Sequence, residues 1–128
     1  MKRLISAALV LLALAYASCS STPMQPTRVI RAVPGGPYSA DSERDVTFSA
    51  VGSTAAVNAS LVRFRWNCGQ ATAHRVNCLQ DSLTPIFRYG KTGQIAAGPL
   101  TFTVTLTVED SLGNSNTATT TVTVRQVY

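Results

Sequence analysis

The sequence predicts an all-β domain folded as an antiparallel sandwich in which each sheet has one face in water. Apolar residues alternate with threonine over 101–108, and the same two-residue period returns over 121–124, as expected for half-buried strands. No segment after residue 27 shows a convincing helical period. The chain has 128 residues, 45% hydrophobic and 13% charged, so it suits one domain with a single core and not a disordered tail.

Three shorter strand patterns precede the long ones. Residues 28–33 alternate weakly and end at the run 34–37, which contains two prolines and two glycines and breaks the pattern. Over 46–50 and 61–66 every second residue is apolar. We expect these side chains on buried faces: Val46, Phe48, Ala50, Val62, Phe64 and Trp66.

Two longer strands are predicted near the C-terminus, separated by a hairpin turn over 110–115. Their inward faces carry Phe102, Val104, Leu106, Val108, Val122 and Val124. The opposite faces are rich in threonine. Many short strands with one polar face each favour a sandwich of antiparallel sheets.

The N-terminal segment predicts export. Lys2 and Arg3 precede the apolar run 4–16, which is too short to span a bilayer comfortably and is followed by small residues. We therefore assign residues 1–18 to a cleaved signal peptide, 19–27 to a flexible polar tether and 28–128 to the folded domain.

The cleavage site determines how the mature protein is held. Residues 16–19, Tyr-Ala-Ser-Cys, resemble the lipobox of bacterial lipoproteins, with tyrosine where the family usually has leucine. The resemblance implies that Cys19 receives a diacylglycerol anchor and becomes the new N-terminus, attached to the membrane. The serine that follows it, Ser20, resembles the residue found at this position in lipoproteins sent to the outer membrane. We therefore expect the protein on the periplasmic side of the outer membrane, with exposure on the cell surface as the alternative. Ordinary cleavage after Ala17 would instead release a soluble protein.

The number of cysteines fits lipidation. The chain has three, and lipidation of Cys19 leaves Cys68 and Cys78 to pair in an oxidising compartment. A disulfide between them would close a loop of about eleven residues, worth roughly 3 kcal/mol on the chain-entropy model. The alternatives are two free thiols or a metal pair, but His74 alone between them leaves a zinc site without a fourth ligand of the usual kind.

Several stretches resemble polycystic kidney disease (PKD) domains. Residues 102–114 look like the closing strand and turn of such a domain, 46–53 fit its second strand, 64–69 fit its tryptophan strand, and Pro85 with Tyr89 match its Pro-x-x-x-Tyr spacing. The resemblance extends over nearly the whole mature chain. It implies a seven-stranded immunoglobulin-like β-sandwich that acts in protein–protein or protein–carbohydrate interaction.

The segment between Cys68 and Cys78 is the leading candidate contact surface. It looks like a loop inserted at one end of the sandwich, where binding loops cluster. Its polar residues are Gln70, Thr72, His74, Arg75 and Asn77. The alternative is a disulfide that only stiffens a loose loop.

We expect a non-enzymatic cell-envelope lipoprotein that binds a protein or a glycan, for instance as a subunit of an envelope or secretion assembly or as an adhesin. The sequence has one histidine and no readable nucleophile motif, which argues against a catalytic triad. The alternative function is a secreted carbohydrate-binding or enzyme-accessory module released by ordinary signal cleavage.

Charge argues against other classes of ligand. The net charge is +5, and removal of Lys2 and Arg3 leaves +3, which is too weak and dispersed for a nucleic-acid surface. Asp41, Glu43 and Asp45 lie close together in the sequence, but calcium needs about six converging oxygens. We therefore expect no metal or other cofactor.

Two further surface features concern ligand binding. Arginines and a lysine would form a basic strip if their strands are neighbours, with a solvated face as the alternative reading: Arg63, Arg65, Arg88 and Lys91. Tyr38 and Tyr128 lie outside the predicted core. They are the tyrosines that we expect to be available to a sugar ring.

Overall fold

The computed structural model of the protein describes residues 28–69, 78, 81–91 and 98–127. Its strands are β1 (Tyr38–Asp41), β2 (Asp45–Thr47), β3 (Leu61–Asn67), β4 (Ile86–Arg88), β5 (Leu100–Asp110) and β6 (Ser115–Arg125). They form a four-stranded sheet, in the order β1-β6-β5-β3, and a two-stranded sheet of β2 and β4. This architecture confirms the predicted all-β sandwich, with six strands in the described residues. The predicted signal peptide and tether lie outside those residues.

The described ranges contain no helix that is long and apolar enough to cross a membrane.

The β5–β6 hairpin forms the centre of the larger sheet. Its antiparallel register runs from Leu100 opposite Val124 to Glu109 opposite Ser115. Five inward side chains are fully buried: Val104, Leu106, Val108, Val122 and Val124. Gly113 takes a φ of 81° in the connecting turn, a left-handed conformation that glycine adopts without a steric penalty. The predicted alternation and hairpin turn are therefore confirmed.

Residues 28–33 do not form the predicted first strand. Their strand-like pairing in the described residues is one isolated β-bridge between Arg31 and Thr54. The backbone N–H groups of the two following residues donate to the side chains of Asn116 and Ser53, at 2.8 and 2.9 Å. Because these donors are used by side chains, no strand ladder continues here. The first regular strand is β1, which pairs in parallel with β6.

The core lies between the two sheets and is centred on Trp66. Its ring stacks on Phe48 with a centroid separation of 5.7 Å, and its Nε1 donates a hydrogen bond to the carbonyl oxygen of Ser82 at 3.0 Å. The indole is therefore fully buried without an unsatisfied donor. Truncating a buried aromatic of this size typically costs about 3–5 kcal/mol.

The start of β3 departs from the predicted alternation. Val62 was expected on the buried face, yet 58% of its surface is exposed. The pairing of β3 with β5 shifts between Leu61, opposite Asp110, and Arg63, opposite Glu109, so Val62 is an extra residue in a β-bulge. Leu61 packs against the core in its place.

The sandwich has two distinct ends. The hairpin end contains the turn 110–114 together with residue 28 and the segment 56–60, since the Val57 N–H donates to the Arg28 carbonyl and the Ser111 N–H to the Ser60 carbonyl. The stapled end contains the residue pair 68 and 78 together with the segments 42–44, 89–91 and 125–127, which are joined by backbone hydrogen bonds. The chain enters the domain at the hairpin end.

Candidate functional site

The stapled end is organised around a disulfide between Cys68 and Cys78, whose Cα atoms are 5.8 Å apart. This bond confirms the predicted pairing and removes the two alternatives, free thiols and a metal pair. Cys68 is buried, and its carbonyl oxygen accepts a hydrogen bond from the hydroxyl of Tyr89 at 3.0 Å. Burial raises the pKa of that hydroxyl, so it remains a donor at physiological pH. Through this hydrogen bond, Tyr89 holds Cys68, the residue at the base of the loop, in place.

The residue after the first cysteine also holds the base of the loop in place. The Gly69 N–H donates to Oδ1 of Asn67 at 2.9 Å, and Gly69 has a φ of 72°. A Cβ atom here would collide with the carbonyl oxygen of Thr103. Glycine is therefore required where the chain leaves β3, for both backbone conformation and space.

The predicted binding-loop residues Gln70, Thr72, His74, Arg75 and Asn77 lie outside the described residues, as does Cys19. The structure locates the two residues that anchor the loop and the end of the sandwich to which they belong. The binding role of the loop residues and the lipidation of Cys19 stay predictions.

The three acidic residues between the end of β1 and the start of β2, Asp41, Glu43 and Asp45, do not converge. Asp41 forms an ion pair with Arg125 at 2.8 Å, and Asp45 pairs with Arg88 at 2.7 Å. The hydrogen bond from each arginine lowers the pKa of its aspartate. Glu43 instead accepts the Lys91 backbone N–H at 3.0 Å. No group of three potential metal ligands occurs in the part of the chain that the structure describes.

The outward side of the β5–β6 hairpin is a face of hydroxyls and methyl groups. Four cross-strand pairs of threonine form it, and we call it the threonine face: Thr101–Thr123, Thr103–Thr121, Thr105–Thr119 and Thr107–Thr117. The hydroxyls of the last pair are 2.8 Å apart and share a hydrogen bond. This face therefore offers both hydrogen-bonding groups and small apolar contacts to a ligand.

A groove runs along β3 beside the threonine face. It encloses about 440 Å³ and is lined by Arg63, Phe64, Arg65 and Asp81; we call it the arginine groove. Nη1 of Arg63 lies 3.2 Å from Oε2 of Glu109, and Nη2 of Arg65 lies 3.6 Å from Oε1 of the same carboxylate. Two arginines thus share one acidic partner.

The opposite wall of the arginine groove is fixed by a backbone contact. Oδ1 of Asp81 accepts the Phe64 N–H at 2.7 Å, which places the aspartate against the outer edge of β3. Sequence reasoning missed this groove. The outward positions of Arg63 and Arg65 were readable from the alternation, but their distance from Asp81 and Glu109 depends on how the strands and the connection before β4 pack.

A second groove of about 470 Å³ lies at the β1 edge of the same sheet, lined by Ser39, Ala40, Asp41, Thr123 and Arg125. Its arginine is used internally, since Arg125 donates two hydrogen bonds to the carboxylate of Asp41, at 2.8 and 3.0 Å. The two grooves therefore differ in how their arginines are held, since Arg65 lies 3.6 Å from its carboxylate partner, beyond hydrogen-bonding distance.

The predicted basic strip is not formed. Arg63 and Arg65 belong to the four-stranded sheet, whereas Arg88 lies on β4 in the two-stranded sheet and pairs with Asp45 there. Because the two strands are in different sheets, their arginines do not join into one surface.

Tyr38 is not the free aromatic that the sequence predicted. Its ring packs edge-on against Phe48 with centroids 4.9 Å apart. Its hydroxyl donates to the Pro34 carbonyl at 2.8 Å and accepts the Ser49 N–H at 3.0 Å. It is therefore a structural residue that holds the entrance to β1. Tyr128 lies outside the described residues.

No protein-family model matches the chain, and no curated protein sequence matches it. Solved structures do. A structure of carbohydrate-binding modules from the β-sandwich superfamily is 20% identical with a TM-score of 0.61, over 79% of this chain and 36% of that one. This chain therefore spans about a third of the length of that structure.

Two PKD domains are also similar in structure. The PKD1 domain of Vibrio anguillarum Epp is 22% identical with a TM-score of 0.55, covering 79% of this chain and 99% of that domain. The PKD domain from the KIAA 1837 protein is 17% identical with a TM-score of 0.53, covering 74% of this chain and 85% of that one. At these identities the likeness concerns the fold. The described part of the chain has the fold of a PKD-like immunoglobulin-like domain, as the sequence resemblance implied.

Proposed function

We propose that this protein is a non-enzymatic binding module of the bacterial cell envelope. A lipid on Cys19 anchors it to the outer membrane, on the periplasmic side, and the domain binds an envelope protein or a glycan. A role as a subunit of an envelope or secretion assembly, or as an adhesin, belongs to the same proposal.

The observation that carries the proposal is the placement of the two ends. Arg28, the first described residue, lies at the hairpin end, and the disulfide lies at the other end of strands that are 11 residues long. At about 3.4 Å per residue these strands separate the ends by roughly 35 Å. An anchor on Cys19 would therefore hold the hairpin end near the membrane and present the stapled end away from it.

The state of the carboxylates supports a binding role over catalysis. All six acidic residues of the sequence lie in the described ranges. Four of them form ion pairs or a hydrogen-bonded turn, and the remaining two accept backbone N–H groups. Carboxylates held by structural partners in this way suit a scaffold better than a general acid or base, which needs a pKa close to the working pH.

Two surfaces suit the two kinds of ligand. The stapled end carries the base of the predicted binding loop and suits a protein partner. The threonine face and the arginine groove offer hydroxyls, guanidinium groups and the carboxylate of Asp81, which suit a glycan. The structural likeness to a carbohydrate-binding module supports the glycan arm of the proposal.

The first test is the intact mass of the mature protein from cell membranes, before and after reduction. A chain that begins at Cys19, carries added acyl mass and gains two hydrogens on reduction is the expected result. The Cys19→Ser variant should then appear in the soluble fraction. A chain that begins at Ser18 without lipid would contradict anchoring and favour the released accessory module.

The second test addresses binding. The protein is extracted from membranes in mild detergent and its partners are identified by co-purification, with Cys19→Ser as a control for contacts that only reflect a shared membrane. Elution alone at monomer size, together with no retention on immobilised envelope glycans, would contradict the binding role.

A further inference from the structure

We propose that the arginine groove binds the carboxylate of an acidic glycan, a chain that contains hexuronic acid residues. The inference rests on the glycan arm of the proposed function and adds the site and the charge of the ligand. The groove volume of about 440 Å³ falls within the range of small-molecule sites.

The arrangement of charge in the groove is the first argument. Arg63 and Arg65 are about half exposed, with 49% and 56% of their side-chain surface in contact with solvent, and they share the carboxylate of Glu109. With Asp81 in the lining, the groove has two positive and two negative groups. Asp81 forms no ion pair with either arginine among the described residues, so the two guanidinium groups lie together as a local positive site for an anionic ligand.

The geometry of Arg65 is the second argument. Its 3.6 Å separation from Glu109 is longer than a hydrogen bond, and the described residues provide its guanidinium with no hydrogen-bond acceptor. The planar fork of an arginine matches a carboxylate with two parallel hydrogen bonds. By contrast, Arg88 and Arg125 each hold an aspartate of their own at hydrogen-bonding distance.

The remaining lining suits a sugar ring. Phe64 contributes to the lining between the two arginines, and its side chain packs against the core on the opposite face of the strand. The Asp81 carboxylate can accept sugar hydroxyls at the far wall, and its charge directs the ligand carboxylate towards the arginines. Thr107 lies opposite Arg65 in the register, so the threonine face continues the hydrogen-bonding surface beyond the groove.

The test is a binding titration of the full mature protein with a hexuronate oligosaccharide. The matched control ligand is the same oligosaccharide with its carboxylates reduced to primary alcohols. The Arg63→Gln/Arg65→Gln double variant should lose about tenfold or more in affinity for the acidic ligand and little for the reduced one. Arg65→Lys keeps the positive charge but loses the planar guanidinium fork. Its affinity for the acidic ligand should therefore lie between that of the wild-type protein and that of the double variant.

Arg88→Gln is the matched protein control, because it removes an exposed arginine from an ion pair on the other sheet. It should leave the affinity unchanged. Amide shifts in an NMR titration of the wild-type protein should cluster at Phe64, Arg65 and Thr107, and this measurement needs no variant to fold.

Three results would overturn the inference. These are equal affinity for the acidic and reduced ligands, equal loss in Arg88→Gln, and amide shifts at the stapled end instead of along β3. Equal affinity for both ligands leaves the glycan arm of the proposed function standing. Failure of the wild-type protein to bind either ligand contradicts that arm as well.

Discussion

The two ends of the sandwich are held by different means. At the hairpin end, one buried carboxylate, that of Asp110, collects hydrogen bonds from Ala56, Leu112 and Asn114. At the stapled end, a covalent bond between Cys68 and Cys78 closes a long connection. The difference follows the length of the connections. A four-residue turn is ordered by a few local hydrogen bonds, whereas closing a loop of about eleven residues costs more chain entropy.

The two ends also differ in what their polar groups do. The hairpin end uses its polar groups to satisfy its own backbone. At the stapled end, the disulfide and the Tyr89 hydroxyl hold Cys68, the residue at the base of the predicted binding loop. The polar residues of that loop stay a predicted contact surface.

The largest predicted effect is loss of the covalent link. The Cys68→Ser/Cys78→Ser variant should lose about 3 kcal/mol of unfolding free energy on the chain-entropy model, measured by urea denaturation. Reduction of the wild-type protein should produce the same loss. Unchanged stability in both would show that the hydrogen bond from Tyr89 is enough to hold the stapled end.

The second effect should be confined to the hairpin end. Asp110→Ala leaves the backbone N–H groups of Ala56, Leu112 and Asn114 without their acceptor, so the melting temperature should fall by several degrees. Hydrogen exchange should speed up at these amides and stay unchanged near Cys68. The control is Asp45→Ala, which removes an exposed ion pair and should shift the melting temperature little. Faster exchange at both ends would contradict independent ends.

A smaller effect is expected from Tyr89→Phe. The change removes one hydroxyl and keeps the ring contacts with Phe87 and Phe102. It leaves the Cys68 carbonyl without its donor, which should cost about 1 kcal/mol in chemical denaturation. The same change is then made in the Cys68→Ser/Cys78→Ser variant. If Tyr89→Phe costs less unfolding free energy there than in the wild-type protein, the hydrogen bond and the disulfide are energetically coupled. An equal cost in both proteins would show that they act independently.

Acid should weaken the hairpin end through Asp110. Burial raises the pKa of Asp110, but the hydrogen bonds from Asn114, Ala56 and Leu112 outweigh it and leave this pKa below its ordinary value. The folded state therefore binds fewer protons than the unfolded chain, whose aspartates titrate near pH 3.9. Stability from Asp110 is complete above that pH and is lost as the pH falls through the folded pKa.

This prediction is checked by melting curves recorded from about pH 6 down to about pH 3. The drop in melting temperature should be shallower in Asp110→Asn, which keeps an acceptor oxygen and cannot titrate. Asp41 and Asp45 also have lowered pKa values, from their bonds with Arg125 and Arg88, so some slope should remain. Identical curves for the two proteins would contradict the role given to Asp110.

Local patterns predicted the fold where the side-chain period is regular. Threonine alternation identified β5 and β6, and the order of the PKD-like motifs identified the sandwich and placed Pro85 and Tyr89. The patterns failed where side chains replace backbone partners. Residues 28–33 alternate like a strand, but Asn116 and Ser53 take the N–H groups that a neighbouring strand would need.

The candidate site was harder to predict from the sequence, because its geometry depends on how the strands pair. The alternation placed Arg63 and Arg65 on one face, but the bulge at Val62 sets which residues of β5 they meet. A basic strip with Arg88 was predicted only if the strands are neighbours, and the sequence pattern does not show that β3 and β4 belong to two different sheets. Cysteine pairing was predictable, because only two cysteines remain once Cys19 is assigned to the lipid.

The opposite placement of the first and last described residues has a practical consequence for imaging. Arg28 lies at the hairpin end, whereas the Val127 N–H donates to Oγ of Ser42 at the stapled end. A fluorescent protein attached directly behind Val127 would therefore start about 35 Å from Arg28. Its distance from the lipid dye of a labelled membrane would measure whether the domain stands upright on its anchor or lies flat.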